Sequence, residues 1–181
     1  MNRQTGKLIL ISGPSGTGKS TVIARLMRLR DDVCFSVSAT TRAPRPGEVD
    51  GKDYFFVTRT AFDAMVAGDE LLEHAEYVNN YYGTSLKLIR DKLDAGIDVL
   101  LDIEVQGAIQ VTSKRPDAVR IFIAPPSWSE LERRLTERGT DTEEKIQKRL
   151  LRAKVEFQTA HTYDYFVIND TVEDAVRELD A

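Results

Sequence analysis

The segment from Gly13 to Ser20 constrains this 181-residue chain more than any other. It reads Gly-Pro-Ser-Gly-Thr-Gly-Lys-Ser, and it lies between an apolar run, Leu8 to Ser12, and a periodic segment, Thr21 to Arg30. A strand, a glycine loop and a helix in this order surround nucleotide phosphates with backbone N–H groups. The segment therefore predicts a phosphate-binding loop in which Lys19 reaches the β and γ phosphates and Ser20 ligates Mg²⁺. A chance glycine turn is the alternative, and it does not explain why all four fixed positions of the pattern are filled.

Composition limits the class of protein. The chain has 25 Lys and Arg against 29 Asp and Glu, a net charge of -4, so it does not resemble a nucleic-acid binder as a whole. Its 41% hydrophobic residues are enough for one core. The single cysteine, Cys34, excludes an internal disulfide, and the polar stretch Met1 to Lys7 precedes an apolar run too short for a signal peptide or membrane span. We expect a cytoplasmic protein without a membrane or nucleic-acid partner, either a monomer or a homo-oligomer.

Apolar runs alternate with amphipathic segments along most of the chain, which predicts an α/β fold with a parallel sheet flanked by helices. The predicted strands outside the loop region are Cys34–Ser38, Tyr54–Val57, Leu71–Tyr77, Val99–Ile103, Val119–Ile123 and Tyr165–Ile168. The predicted helices are Ser20–Arg30, Thr60–Ala67, Leu86–Ala95, Val105–Ser113, Ser127–Arg138, Glu143–Ala160 and Thr171–Leu179.

The pattern of predicted elements changes in the middle of the chain. Residues 34–84 contain short strand candidates separated by Pro, Gly and Asp, which predicts a small strand-rich lobe inserted into the α/β frame. We therefore expect a single domain with a core of about 1–33 and 85–181, the inserted lobe, and a helical lid of about 134–149 within the core segment.

Further polar side chains follow the predicted strands, where ligands of parallel sheets gather. Asp102 ends an apolar strand, as a magnesium-holding acid does, although aspartate often ends strands without such a role. Arg42 and Arg45 lie in a loop stiffened by two prolines and form a candidate phosphate clamp, the alternative being a solvated basic loop. Tyr54 and Tyr82 could add hydroxyl donors to such a clamp.

Three arginines near the predicted lid form another candidate cluster. Arg134 and Arg138 are spaced i, i+4 on one helix, and Arg149 lies on the next. A short link between two helices can bring guanidinium groups onto a transferring phosphoryl group. Exposed salt-bridging arginines are the alternative that spacing alone leaves open.

Together these motifs closely resemble the guanylate kinases of the bacterial type, in order from Leu8 to Leu179. The motifs that carry the resemblance are Ser-Gly-Pro-Ser-Gly-Thr-Gly-Lys-Ser, Ser-Ala-Thr-Thr-Arg-Ala-Pro-Arg-Pro-Gly-Glu, Gly-Lys-Asp-Tyr-Phe-Phe, Asn-Tyr-Tyr-Gly-Thr, Asp-Ile-Glu-Val-Gln-Gly and Arg-Gly-Thr-Asp-Thr-Glu. The resemblance implies a phosphate-loop nucleotide kinase core with an inserted GMP-binding lobe and a helical lid.

The resemblance also implies a role for each candidate residue. For GMP, the phosphate would be held by Arg42, Arg45, Tyr54 and Tyr82, and the guanine base would be surrounded by Ser38, Glu73, Thr84 and Glu104. For ATP, the ligands would be Gly13, Pro14, Ser15, Gly16, Thr17, Gly18, Lys19 and Ser20, with Arg134 and Asn169 near adenine. The catalytic group would be Lys19, Arg42, Arg138 and Arg149, and the Mg²⁺ ligands would be Ser20 and Asp102.

The implied reaction moves the γ-phosphoryl group of MgATP to GMP or dGMP. A carboxylate such as Glu73 can accept both N–H donors on one edge of guanine, a pair that adenine lacks. Two alternatives remain: a protein-binding module that keeps the fold without catalysis, and a kinase for another small phosphate ester. Lys19 and Ser20 argue against the module, and Ser38, Glu73 and Thr84 argue for guanine. Family members carry Asp or Glu at the position of Glu104, so its contact stays open.

Overall fold

The computed structural model of the chain describes residues 5–77, 79–137 and 142–181. Its strands are β1 Leu8–Ser12, β2 Val33–Phe35, β3 Ala39–Thr40, β4 Phe55–Phe56, β5 Leu71–Tyr77, β6 Asn80–Ser85, β7 Asp98–Asp102, β8 Val119–Ala124 and β9 Tyr165–Ile168. Its helices are α1 Lys19–Leu26, α2 Arg59–Ala67, α3 Leu86–Asp94, α4 Val105–Lys114, α5 Trp128–Glu137, α6 Glu143–Gln158 and α7 Val172–Asp180, with a 3₁₀ turn at Ala160–Thr162.

The larger sheet has the strand order β2-β7-β1-β8-β9. The pairs β2–β7, β1–β8 and β8–β9 run parallel, with Ile11 opposite Ile121 and Ile123 opposite Val167. Strands β1, β7 and β8 are rich in buried aliphatic residues, as expected for a parallel sheet covered on both faces. The predicted α/β class with a parallel sheet flanked by helices is therefore confirmed.

The smaller sheet has the order β4-β3-β6-β5 and is mixed. Strand β6 pairs antiparallel with β3 and with β5, whereas β3 and β4 run parallel. Helix α2 covers this sheet through Phe62, which is 1% exposed and clusters with Ala39 and Leu71. The side chain of Thr58 caps the helix by accepting a hydrogen bond from the N–H of Ala61.

The chain separates into two compact units. The first contains residues 5–8, 32–101 and 106–118, and the second contains residues 9–31, 102–105 and 119–181, within the parts of the chain that the structure describes. The phosphate loop belongs to the second unit, and the smaller sheet belongs to the first. No helix of the described residues combines the length and apolarity needed to cross a membrane. The boundaries of the core, the inserted lobe and the lid stay a prediction.

Two strand predictions were wrong in detail. The predicted strand from Cys34 to Ser38 is divided: β2 ends at Phe35 and joins the larger sheet, and the chain then enters β3 of the smaller sheet at Ala39. Strand β6 was not predicted, because its sequence Asn-Tyr-Tyr-Gly-Thr-Ser contains Asn and Gly, which are depleted in strands. Ser127 followed by Glu130 is typical of a helix capping box, and Ser127 Oγ accepts a 3.1 Å hydrogen bond from the N–H of Glu130 at the start of α5. Gly139, which follows the predicted helix end at Arg138, lies outside the described residues.

Candidate functional site

The glycine loop joins β1 to α1 with the backbone that the motif requires. Gly18, at the start of α1, has φ 84° and lies so close to Asn169 that a Cβ there would be 2.4 Å from Nδ2. Gly13 has φ 145°, and a Cβ there would lie 2.1 Å from the carbonyl oxygen of Ile123. Any larger residue would therefore displace the loop from β8 or from Asn169. The N-cap residue Gly18 has no side chain to cap the first turn of α1, so the loop ends in a helix N-terminus suited to an anion.

Lys19 folds back over the loop. Its ammonium group donates hydrogen bonds to the carbonyl oxygens of Gly13, at 2.5 Å, and Pro14, at 3.2 Å. Thr17 closes the same turn, because its hydroxyl donates to the Pro14 carbonyl at 2.9 Å and its side chain is fully buried. The loop is thus rigid from within, and phosphate oxygens could replace the two carbonyls as partners of the ammonium group.

The residues that could hold a metal fit the predicted ion. Asp102 ends β7 and Ser20 lies in the first turn of α1, both in the second unit. The surrounding protein removes water from the Asp102 carboxyl and raises its pKa, an effect that the charge of Lys19 opposes and that of Glu104 adds to. A divalent cation would relieve this desolvation, and carboxylate and hydroxyl oxygens are ligands that Mg²⁺ accepts. The described residues contain no group of three or more His, Cys, Asp and Glu that could form a protein-only metal site.

Arg134 and Asn169 converge on the end of the glycine loop. The Asn169 side chain donates a 2.7 Å hydrogen bond from Nδ2 to the carbonyl of Thr17, and Arg134 Nη2 donates a 3.0 Å hydrogen bond to the Asn169 carbonyl. Asn169 is only 3% exposed, and its Oδ1 is buried without a hydrogen-bond partner among the described residues. A buried acceptor of this kind is costly unless a ligand donates to it.

The remaining members of the ATP set are placed in part. Arg149 on α6 donates a 2.6 Å hydrogen bond from Nη1 to the hydroxyl of Ser15, so it reaches the glycine loop. Arg138 lies outside the described residues.

Glu104, predicted near guanine, belongs to the second unit and forms an ion pair with Arg152 of α6. Sequence reasoning did not find this pair, because 48 positions separate its members.

In the first unit, Arg42 lies near Tyr54 and Tyr82. Its guanidinium carbon lies 5.3 Å from the centre of the Tyr54 ring, and that ring packs edge-on against Tyr82 at 6.0 Å. Hydrogen bonding to Glu48 and, less strongly, to Tyr82 raises the pKa of Arg42. Arg45 is exposed. Glu48 was not among the predicted site residues, although it belongs to the same Arg-Pro-Gly-Glu segment.

Two of the four predicted guanine ligands, Glu73 and Thr84, pair across the smaller sheet. Glu73 on β5 pairs with Thr84 on β6, and its Oε1 accepts a 2.7 Å hydrogen bond from the Thr84 hydroxyl. Ser38 directly precedes β3, whose Ala39 pairs with Gly83, the neighbour of Thr84. Opposed residues share one face of a sheet, and so do residues two apart, which adds Tyr82 to this face. Desolvation raises the pKa of Glu73, and the Thr84 hydrogen bond opposes this.

Comparison with known proteins identifies the family of the chain. The family model described as "Guanylate kinase" matches residues 5–181. The chain is 51% identical over 181 residues to a guanylate kinase of Halalkalibacterium halodurans, covering 100% of this chain and 89% of that protein. It is 50% identical to a guanylate kinase of Trichodesmium erythraeum, covering 98% and 95%.

A solved structure supports the same assignment. The crystal structure of guanylate kinase from Anaplasma phagocytophilum superposes with a TM-score of 0.75 at 35% identity, covering 98% of this chain and 84% of that one. The predicted family is therefore confirmed by sequence and by fold: the chain belongs to the guanylate kinase family.

Proposed function

We propose that the protein transfers the γ-phosphoryl group of ATP to a phosphate oxygen of GMP, giving ADP and GDP. The observation that carries this proposal is the Glu73–Thr84 pair on the smaller sheet. Thr84, which is 2% exposed, occupies one carboxylate oxygen of Glu73 and thereby orients the other acceptor positions. Those positions suit the N1–H and N2–H₂ donors of guanine, whereas adenine would leave the carboxylate unpaired.

The phosphate of GMP is bound by Arg42, Arg45, Tyr54 and Tyr82 in this proposal. Arg42 carries the support, because aromatic rings and a carboxylate fix its guanidinium group within one loop. The acceptor oxygen of GMP is already anionic, so no side-chain base is needed to remove a proton. Catalysis then consists of positioning and charge neutralisation around an in-line transfer, in which the bond to the γ-phosphorus breaks on ADP and forms on GMP.

ATP is bound by the glycine loop of the second unit. Lys19 exchanges its carbonyl partners for β- and γ-phosphate oxygens, and Arg149 with Arg138 contacts the transferring group. The unpartnered Oδ1 of Asn169 is suited to accept a hydrogen bond from the amino group of adenine, beside Arg134. We propose that the lobe that binds GMP comprises residues of about 34–84 and that the lid comprises residues of about 134–149, as predicted from the sequence.

The cofactor of the proposed reaction is Mg²⁺. Ser20 and Asp102 would hold it, and the ion would neutralise charge that develops on the transferring phosphoryl group. Ser20 lies in the first turn of α1 and Asp102 ends β7, so both oxygens belong to regular elements. We also place the enzyme in the cytoplasm, where its substrates ATP and GMP or dGMP are found and where a single thiol, Cys34, stays reduced.

An acceptor panel tests the proposal. The protein is incubated with MgATP and, in separate reactions, with GMP, dGMP, AMP, CMP and UMP, and ADP release is followed. We expect rapid transfer to the guanine nucleotides and transfer to AMP slower by orders of magnitude. Equal rates with AMP and GMP would contradict guanine recognition by Glu73. An absence of transfer to any acceptor would instead favour a protein-binding module.

A further inference from the structure

The strongest feature that the proposed function does not use is the carboxylate of Glu48. It accepts a hydrogen bond from Arg42 Nη1 at 3.0 Å and another from Arg42 Nη2 at 2.8 Å, an end-on bidentate ion pair. Both side chains are largely buried, with 14% of Arg42 and 19% of Glu48 exposed. A bidentate pair in this environment fixes the plane of the guanidinium group as well as its position.

The loop is built to hold Glu48 in place. Its N–H donates a 3.0 Å hydrogen bond to the carbonyl of Arg45, which closes a turn with Pro46 and Gly47 at its centre. Gly47 has φ 90°, as the third position of a type II turn requires, and proline is preferred before it. The Glu48 carboxylate also accepts a 2.7 Å hydrogen bond from the backbone N–H of Arg45. Glu48 is therefore fixed by short-range contacts before any ligand binds.

The geometry leaves one edge of Arg42 for a ligand. Glu48 uses one N–H of Nη1 and one of Nη2, and the second N–H of Nη1 donates to the carbonyl of Ala43 at 2.8 Å. Beside the weaker hydrogen bond of Arg42 to Tyr82, which is itself a proposed phosphate ligand, the two remaining donors, on Nε and Nη2, lie side by side and match two oxygens of one phosphate. Tyr54 and Phe56 lie 5.3 and 5.8 Å from the guanidinium carbon and limit its rotation.

We propose that Glu48 is a positioning residue for GMP: it holds the Arg42 guanidinium end-on so that the Nε–Nη2 edge is presented to the acceptor phosphate. This inference rests on the proposed function, because it needs Arg42 to bind that phosphate. The opposite arrangement, in which Glu48 occupies the phosphate position and is displaced by GMP, would require it to leave both Arg42 and the Arg45 N–H. Glu48 also binds the Nη1–Nη2 end of the Arg42 guanidinium group and not the Nε–Nη2 edge proposed for the phosphate, so the two ligands would not compete for the same donors.

Steady-state kinetics of Glu48→Gln test the proposal. Glutamine keeps the size of the side chain but provides one carbonyl acceptor in place of two carboxylate oxygens, so Arg42 loses its fixed plane. We expect kcat/KM for GMP to fall by about 10- to 100-fold, the scale of a misplaced reacting group, while the KM for ATP and the melting temperature change little.

Asp53→Asn is the matched control, because Asp53 ties the same loop through the N–H of Val49 but contacts no arginine in the described bonds. It should leave kcat/KM for GMP unchanged. A loss in Asp53→Asn as large as that in Glu48→Gln would mean that loop stiffness alone matters, and this overturns the positioning role. An unchanged or improved GMP KM in Glu48→Gln also overturns it, and improvement would indicate displacement by phosphate.

A double-variant cycle separates this inference from the proposed function. Arg42→Ala should lower kcat/KM for GMP, and Glu48→Gln should add less than about twofold in that background, since contacts that act as a unit are not additive. An equal further loss would show that Glu48 acts without Arg42, which overturns the inference and leaves the proposed function standing. A fully active Arg42→Ala variant would overturn both the inference and the proposed role of Arg42.

Discussion

The substitution Glu73→Gln tests guanine recognition directly. Glutamine has the shape of glutamate, and its carbonyl oxygen can still accept the hydrogen bond that Thr84 donates to Glu73 at 2.7 Å. Its amide nitrogen then faces the N–H donors of guanine, so two donors meet where a carboxylate accepted both. The sheet around it should not change, because no volume is added or removed.

The magnitude follows from the bonds that are lost. A hydrogen bond to a charged group contributes about 1.5–3 kcal/mol, so losing two costs about 3–6 kcal/mol. Some recovery by rotation of the amide places the expected loss near the lower end, at about 3–4 kcal/mol. At 1.36 kcal/mol per factor of ten, kcat/KM for GMP should fall by about 10²–10³.

The assay compares kcat/KM for GMP with the KM for ATP in the same variant. ATP binding should be unaffected, since its proposed ligands lie in the second unit and Glu73 lies in the first. Glu76→Gln is the matched control: Glu76 also lies on β5 and accepts a hydrogen bond from a hydroxyl, that of Tyr81, at 2.8 Å, but it is outside the proposed GMP set. A loss of less than about threefold in Glu73→Gln would refute the reasoning.

A pH dependence accompanies this prediction. Desolvation raises the folded-state pKa of Glu73 above the ordinary 4.5, so the folded state is destabilised as pH rises from the unfolded-state pKa through the folded-state pKa. This cost is absent at lower pH, where Glu73 is protonated in both states. GMP donates to the ionised form and lowers that pKa again, so its binding releases a proton and its affinity should rise with pH through the free-protein pKa. The phosphate of GMP titrates near pH 6 by itself. The difference between wild-type and Glu73→Gln profiles of GMP KM therefore isolates Glu73, and parallel profiles would contradict its role.

Two further substitutions test the second unit. Gly18→Ala places a residue with a Cβ at φ 84°, with that Cβ only 2.4 Å from Asn169 Nδ2. The resulting strain of about 1–2 kcal/mol should raise the KM for ATP about tenfold. Gly51→Ala is the control, because Gly51 has φ 74° but no contact closer than 3.5 Å, and it should leave the KM for ATP unchanged. Leu135→Ala empties a core position that is 1% exposed and should lower the free energy of unfolding by about 2–5 kcal/mol in urea titration. The exposed Leu151→Ala should change it by less than about 0.5 kcal/mol, and equal effects would contradict the packing assigned to α5.

The donor loop could be predicted from sequence because its information is local. Glycine, lysine and serine at fixed spacing between an apolar run and a helix determine the backbone path, and all of the residues involved lie within one segment of eight positions. The strands β1, β7 and β8 could be predicted for the same reason, since each consists largely of a continuous apolar run, which indicates a buried strand. The resemblance to guanylate kinases then supplied the residues of the acceptor half.

What only the tertiary structure decided depends on partners far apart in sequence. Strand β3 has two residues, too few for any periodic pattern, and it exists because β6 and β4 pair with it. The pairing of Glu73 with Thr84 likewise follows from sheet register, which composition does not determine. The sequence by itself determined the phosphate loop and the residue types of the site, because steric and hydrogen-bonding demands there act along the chain. The tertiary structure decided which side chains face one another and that Glu48 holds Arg42, because burial and pairing act between elements.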